Sequence, residues 1–340
     1  MRRLLTALIL LLAIYFAFSQ FTELQRIGET LRRGHLPWLG LAVVVQFSWI
    51  ANLALMYRAI YRLLNMETTL QHLLPLVITS NFVNVVAPSG GVGGIAVFIR
   101  DARRHNYSTA RVTIAGVLFV LFDYFGFLCV LALGLIVLFR RNNLNGAEIG
   151  ASAVLLLTAL TVAGLLVLGV RSASAFERVL VGSARAINRL LRPLIKRDYL
   201  SETRAHLFAV EAAEGLSALR AHWSEYLVPA ALSLFSRALQ IAILFLTFLA
   251  FDQPFSTGTL IAGYSLAFLA LIVSPTPAGV GIVEGIMPPV LRSLGVPLEA
   301  ALVITLAYRG LTFWLPFGYG FIAFRLLQRR WAGAKQIADG

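Results

Sequence analysis

The chain has 340 residues, of which 59% are hydrophobic and 13% are charged, and its mean hydropathy is +0.80. Soluble domains average about 25% charged residues, so this composition excludes a soluble domain and indicates an integral membrane protein. The net charge of +13 comes from basic residues that cluster between apolar runs, as topology signals do, so we expect no nucleic-acid partner.

Apolar runs of about 20 residues predict helices that cross a hydrocarbon core about 30 Å thick. Such runs lie at residues 4–21, 37–57, 109–139, 150–170, 226–250 and 298–325. The first run follows Met1-Arg2-Arg3 and also fits a signal peptide with a cleavage site near Ser19. We favour a retained helix, because a first helix normally sets the orientation of those that follow.

Two further apolar runs, 72–99 and 258–292, are interrupted by proline and glycine. The interruptions read Asn84-Val-Val-Ala-Pro-Ser-Gly-Gly-Val-Gly-Gly94 and Ser274-Pro-Thr-Pro-Ala-Gly-Val-Gly-Ile-Val-Glu284. Proline removes a hydrogen-bond donor and disfavours helix at the preceding residue. We predict that each run forms two half-helices that meet at a glycine-rich tip and re-enter the membrane, with complete crossing as the alternative.

Arginine and lysine placement predicts the orientation. With re-entrant hairpins and cytoplasmic termini, 21 of the 29 basic residues fall on the cytoplasmic side, as the positive-inside rule requires. Residues 37–139 and 226–325 then form two repeats of opposite orientation, offset by about 189 residues. The predicted fold is an all-α integral membrane bundle with two inverted-topology repeats, each containing a broken or re-entrant hairpin.

The polar segment 171–222 follows the connecting helix 150–170 and mixes charged and apolar residues at helical spacing. We predict cytoplasmic amphipathic helices that bind anionic headgroups, with a solvated linker as the alternative. The basic residues that would contact the headgroups are Arg185, Arg189, Arg192, Lys196 and Arg197. A short basic tail, 326–340, ends the chain on the same side.

The two tips are the candidate substrate site. Glycines permit backbone conformations that are closed to other residues, and the half-helix N-termini that follow would direct unpaired N–H groups at an anion such as a lipid phosphate. The alternative is that these small residues only let helices pack closely. The candidate residues are Asn84, Pro88, Ser89, Gly90, Gly91, Gly93, Gly94, Ser274, Pro275, Pro277, Gly279 and Gly281.

Four ionisable residues, Asp123, Arg237, Glu284 and Arg309, lie at membrane depth, where charges are costly and rarely face lipid. We predict that Asp123 pairs with Arg309, because adding the repeat offset to 123 gives 312, one turn away. These four residues either line the substrate path or join the halves as structural ion pairs. Arg100, at the end of the first hairpin, is a further candidate that could reach back to the tip.

Catalysis and metal binding receive little support from the sequence. The histidines lack the spacing of a zinc site, the single cysteine cannot form an intrachain disulfide, and no nucleophile motif is present. We therefore predict no metal, no cofactor and no enzyme activity. A membrane enzyme using Asp123 or Glu284 as a general base is a remaining alternative.

The motif from Pro275 to Glu284 resembles a signature of the flippase-like membrane family typified by the transmembrane region of lysylphosphatidylglycerol synthases. Tyr308-Arg309 with Phe313-Trp-Leu-Pro316 and Gly320 is similar to the last-helix pattern of that family, and Asn84 to Arg100 resembles its first signature. Many members place a glutamate directly after the first turn, whereas this chain has Gly94-Ile-Ala96.

The resemblance implies re-entrant hairpins, an inverted repeat and movement of an anionic phospholipid or lipid-linked phosphate between leaflets. It also implies a bacterial or archaeal cell membrane. We expect no aminoacyltransferase activity, because the sequence ends at Gly340 without a synthase domain. The alternative function is a non-transporting scaffold for a lipid-modifying enzyme or glycosyltransferase partner. A single chain and a homo-oligomer are alternative assemblies.

Overall fold

The structure is a computed structural model that describes residues 26–86, 92–105, 107–140, 223–274 and 276–338, with scattered positions between 149 and 185. Over these residues the secondary structure is helical and contains no strand, which confirms the predicted all-α class. The helices are α1 (26–33), α2 (Leu36–Leu63), α3 (Leu70–Val86), α4 (Val92–Ala102), α5 (Thr109–Arg140), α6 (Trp223–Ala250), α7 (Thr257–Val273), α8 (Ile282–Ser293), α9 (Leu298–Arg309) and α10 (Leu315–Ala338).

Four stretches of the described chain are helical, apolar and long enough to cross a membrane. They are Leu36–Leu63, Thr109–Arg140, Ser224–Ala250 and Leu298–Arg329. The last stretch joins α9 to α10 through a π-helical turn at Gly310–Trp314. The predicted helices 4–21 and 150–170 and the predicted linker 171–222 fall outside the described residues, apart from the scattered positions.

The outer surface of the bundle is strongly apolar. Large side chains such as Val44, Phe125, Ile136, Leu227 and Ile322 are exposed along the long helices. Soluble monomers rarely expose contiguous apolar surface of more than a few hundred Å². These side chains therefore face the acyl chains of the lipids, and the chain is an integral membrane protein.

The first broken run forms a helical hairpin from α3 and α4. The two arms have 17 and 11 residues, about 26 and 17 Å at about 1.5 Å per residue, so neither spans a core about 30 Å thick. They run antiparallel: His72 contacts Asp101 at the open base, and Asn84 contacts Gly94 near the tip. Because neither arm is long enough to cross the membrane, this arrangement fits a re-entrant hairpin.

The second broken run forms a similar hairpin from α7 and α8, which have 17 and 12 residues. At the open base, the Thr259 hydroxyl lies 3.5 Å from the Leu294 carbonyl oxygen. A 3-10 turn at Pro277–Gly279 forms part of the tip and packs against α3 of the first hairpin. The tip of one hairpin therefore contacts an arm of the other inside the bundle.

The antiparallel packing of α2 against α6 sets the relative direction of the hairpins. The His35 N–H donates to the Ala250 carbonyl at 2.8 Å, and the Trp49 indole N–H donates to the Ser236 hydroxyl at 2.8 Å. The first hairpin opens at the end of the bundle where α2 ends. The second opens at the end where α2 begins, so the hairpins enter the bundle from opposite ends.

The buried apolar side chains of the described residues form two clusters, one around each hairpin. One cluster joins α7 and α8 to α6 and α9, and the other joins α3 and α4 to the end of α10. Both α2 and α5 contribute to both clusters. These two helices connect the packing around one hairpin with the packing around the other.

Gly126 fixes the approach of α5 to α6. A Cβ at this position would lie 2.8 Å from the Ser233 carbonyl oxygen, which belongs to the backbone and cannot move aside. In lipid, helices associate through close van der Waals packing, so a small residue at such a contact matters. We expect Gly126→Ala to lower the free energy of unfolding in detergent by about 1–3 kcal/mol.

Gly318→Ala is the matched control, because nothing lies within 4 Å of a Cβ at Gly318, which is also within a long apolar helix. Thermal or denaturant unfolding of both variants checks the prediction. Equal stability of the two variants would contradict the close contact between α5 and α6.

Candidate functional site: two buried ion pairs and the hairpin tips

The second tip has a left-handed backbone. Ala278, Gly279 and Gly281 have φ angles of 50°, 68° and 78°. Glycine adopts this region at no steric cost, whereas alanine does so at a cost. The sequence therefore turns sharply between α7 and α8 and leaves Ala278 in a conformation that needs support from its surroundings.

Glu284 and Arg309 supply that support. The Glu284 carboxylate accepts a hydrogen bond from the Gly281 N–H at 2.7 Å and, through its other oxygen, pairs with the Arg309 Nε. The Arg309 guanidinium also donates to the carbonyl oxygen of Ala278 at 3.2 Å. The tip is thus closed by a ring of contacts that runs from Gly281 through the two charged side chains to Ala278.

The position of Arg309 follows from its place at the end of α9. The π-helical turn begins at the next residue, and the guanidinium lies 4.4 Å from the centroid of the Phe313 ring, within the range of a cation–π interaction. The Arg309 side chain is 3% exposed, and that of Glu284 is 15% exposed. Single π-helical turns inside α-helices often occur at functional positions.

A second ion pair joins Asp123 on α5 to Arg237 on α6. The Arg237 side chain is 2% exposed, donates to the Tyr264 hydroxyl at 3.0 Å and lies 4.4 Å from the Phe268 ring centroid. A buried guanidinium needs both a counter-charge and hydrogen-bond acceptors, and Asp123 and Tyr264 provide these. This pair therefore connects α5, α6 and α7 near the middle of the long helices.

The predicted pairing of Asp123 with Arg309 is wrong. The repeat offset suggested it, but α5 packs against α6 and α7, so the buried cation that reaches Asp123 is Arg237. Arg309 instead lies against the second tip, where Glu284 is within reach. All four of these residues form ion pairs, but the pairs are Asp123 with Arg237 and Glu284 with Arg309.

Buried polar side chains lie between the two ion pairs and form with them one polar band inside the bundle. The Tyr308 hydroxyl, next to Arg309 in sequence, donates to the Gln240 side-chain oxygen at 3.2 Å. Gln240 lies one turn after Arg237 on α6. The band therefore extends from Asp123 to Glu284 across α5, α6, α7, α8 and α9.

The first tip is built differently. Pro88, Ser89, Gly90 and Gly91 lie outside the described residues, as does Pro275 of the second tip. At the start of α4, the Asn84 side chain accepts a hydrogen bond from the Gly94 N–H at 2.6 Å. A neutral amide therefore caps this half-helix, in the same role that the Glu284 carboxylate has at the second tip.

The remaining predicted site residues lie at different places in the two hairpins. Arg100 is at the open base of the first hairpin, not at its tip, with its guanidinium 4.4 Å from the Trp331 ring centroid. The expectation that it reaches back to the tip is therefore wrong. Ser274 lies at the second tip, where its hydroxyl is 2.7 Å from that of Thr276. Gly93 lies in the first turn of α4.

Sequence reasoning missed several buried polar side chains. Gln46 and Tyr319 carry buried polar atoms that lie close to each other, and the Thr79 hydroxyl has no hydrogen-bond partner among the described residues. They lie on α2, α3 and α10, which pack together around the first hairpin. An uncharged polar residue inside an apolar run gives only a weak sequence signal, because such a residue also occurs at ordinary helix contacts.

A cavity of about 420 Å³ lies at one end of the bundle, away from both ion pairs. Its lining includes Arg33, Gln253 and Glu299, close to where α2 and α9 begin. It is therefore not the pathway that the tips would form.

A comparison with known protein families covers most of the chain. The family model described as the lysylphosphatidylglycerol synthase TM region matches residues 3–320. The chain belongs to this family. The resemblance inferred from the motifs around Glu284 and Arg309 is thereby confirmed, and membership indicates a function related to membrane lipids. No curated protein matches the sequence.

A double-mutant cycle tests the ion-pair assignment. We expect Asp123→Asn and Arg237→Gln each to lower the free energy of unfolding by about 3–5 kcal/mol, because each leaves its partner as an unpaired buried charge. The double variant should lose much less stability than the sum of the losses in the two single variants. Unfolding in detergent gives the free energy of unfolding of the wild type, the two single variants and the double variant.

The matched control is the cycle of Asp123→Asn with Arg309→Gln, which probes the pairing that the sequence suggested. Its coupling energy should be clearly smaller than that of the first cycle, because Asp123 and Arg309 form ion pairs with different partners. Strong coupling in this control, with additivity in the first cycle, would reverse the assignment.

Proposed function

We propose that this chain is a lipid translocase that moves an anionic phospholipid or lipid-linked phosphate between leaflets. The observation that carries the proposal is the pair of hairpins that enter the bundle from opposite ends and meet where the Pro277–Gly279 turn packs against α3. Irregular backbone at membrane depth persists only where protein or a water-filled cavity satisfies its polar groups, and paired interruptions in two halves of a chain point to a transport site. Family membership supports lipid as the substrate class.

The proposal includes an inverted repeat. The order of elements before the linker is a 28-residue helix, arms of 17 and 11 residues and a long helix. After the linker it is a 28-residue helix, arms of 17 and 12 residues and a long interrupted helix. With α2 antiparallel to α6, rocking of one repeat against the other would expose the tips to each side in turn.

Arg309 is the proposed cationic partner of the lipid phosphate. Its described contacts with Glu284 and Ala278 use two of the five N–H donors of the guanidinium, so others are available to a phosphate. Arginine binds phosphate through planar, paired hydrogen bonds. In this scheme the phosphate competes with the Glu284 carboxylate for Arg309 and loosens the second tip as it binds.

The first tip would offer the complementary half of the site. Among the described residues, the cap at the start of α4 is the neutral amide of Asn84, whereas the cap of α8 is the carboxylate of Glu284. A phosphate near the start of α4 would gain the interaction with the positive end of the helix dipole. The buried polar groups of Gln46, Thr79 and Tyr319 lie around the same hairpin and suit a hydrated path for a headgroup.

Headgroup exposure in proteoliposomes tests the proposal. Purified protein should transfer labelled phosphatidylglycerol or a polyprenyl phosphate between leaflets faster than protein-free vesicles do. Arg309→Ala should lower the rate by at least about tenfold, since a hydrogen bond to a charged group contributes about 1.5–3 kcal/mol. Size-exclusion chromatography checks that the variant remains folded.

Arg325→Ala is the matched control, because Arg325 lies on α10 and stacks on Phe321 much as Arg309 stacks on Phe313, but is exposed. Its flux should equal that of the wild type. Wild-type flux no faster than that of empty vesicles across these lipids contradicts translocation. Copurification of a stoichiometric lipid-modifying enzyme, together with absent flux, would instead favour the scaffold function.

A further inference from the structure

We propose that His72, Asp101 and His105 form a zinc site at the open base of the first hairpin. His72 lies in the first turn of α3, Asp101 lies near the end of α4 and His105 lies just beyond it. Their ligand atoms all lie within 4.8 Å of one another. The proposal is independent of the transport function.

The geometry is close to that of a tetrahedral site. The His72 Nε2 lies 2.8 Å from one Asp101 carboxylate oxygen, and the His105 Nδ1 lies 3.5 Å from the other. Zinc bonds to nitrogen and oxygen are about 2.0–2.2 Å, so ligand atoms of a tetrahedral site are about 3.3–3.6 Å apart. The two nitrogens and one Asp101 oxygen lie within 4.8 Å of one another, so side-chain rotations that shorten the longest of these distances would bring them onto one ion.

The charge environment of Asp101 favours a cation. The Asp101 side chain is 7% exposed, and among the described residues its ion pairs are with the two imidazoles. Arg100 and Arg104 are near in sequence, but their guanidinium groups lie over the Trp331 ring, at 4.4 and 5.7 Å from its centroid. A buried carboxylate that faces two imidazoles is a donor set that zinc prefers.

Binding would fix the tautomers of both imidazoles. Zinc takes a ring nitrogen without a hydrogen, so the His72 Nε2 and the His105 Nδ1 would present their lone pairs to the ion and each neutral ring would carry its hydrogen on the other nitrogen. Three protein ligands leave a fourth position for water, and the half-exposed face of His105 leaves room for it. The ion would hold together the two ends of the hairpin.

Sequence motifs do not reveal this site. Only the spacing from 101 to 105 is local, and His72 joins these residues because α3 and α4 fold back antiparallel. The sequence prediction of no metal rested on linear spacing, which carries no information about such a contact.

Elemental analysis of purified protein tests the site, with any histidine tag removed and the protein stripped by chelator before dialysis against Zn²⁺. We expect one zinc per chain. His72→Ala, Asp101→Asn and His105→Ala should each weaken binding by at least tenfold. His35→Ala is the matched control, because His35 and Asp252 form an equally short pair, at 2.8 Å, with no third ligand in the part of the chain that the structure describes.

Cobalt provides a measurement on the unaltered chain. Wild-type protein loaded with Co²⁺ should show the visible absorption of tetrahedral cobalt, and Zn²⁺ should abolish it. No stoichiometric zinc, no tetrahedral cobalt band, or an equal loss of binding in His35→Ala would each overturn the proposal.

Discussion

The pairing of charges inside an apolar bundle is the constraint on which the rest of the structure depends. Arg237 and Arg309 are almost fully buried, and each is stable at membrane depth because a carboxylate and a second acceptor meet it there. One pair fixes α5 against α6, and the other closes the second tip against α9. Other positions of these helices would leave a buried charge without its partner, so the two pairs select one packing.

The second arms of the two hairpins are capped by different chemical groups. At the second tip a carboxylate caps α8 and is neutralised by Arg309. At the first tip an uncharged amide caps α4. The sequence has no glutamate at the start of α4. In the structure Asn84, which lies on the preceding arm, caps the N-terminus of α4 instead.

Helix positions were predictable because hydropathy and proline placement act locally. The runs 37–57, 109–139 and 226–250 coincide closely with observed helices, the second break coincides with an observed turn, and the first break falls between the end of α3 and the start of α4. The charge pairing was not predictable, because a repeat offset gives the depth of a residue but not the side of the helix that it occupies. The repeat offset therefore predicts Arg309 as the partner of Asp123, whereas the structure places Arg237 of α6 there. The π-helical turn after Arg309 has no sequence signal that separates it from ordinary helix.

The most direct test of the account is the affinity of the detergent-solubilised protein for short-chain phosphatidylglycerol, compared between the wild type and Glu284→Gln. Glutamine keeps the acceptor for the Gly281 N–H but frees Arg309 from its carboxylate. If a lipid phosphate competes with Glu284 for Arg309, the variant should bind the lipid about tenfold more tightly, equivalent to about 1.4 kcal/mol. Unchanged or weaker binding would contradict the account.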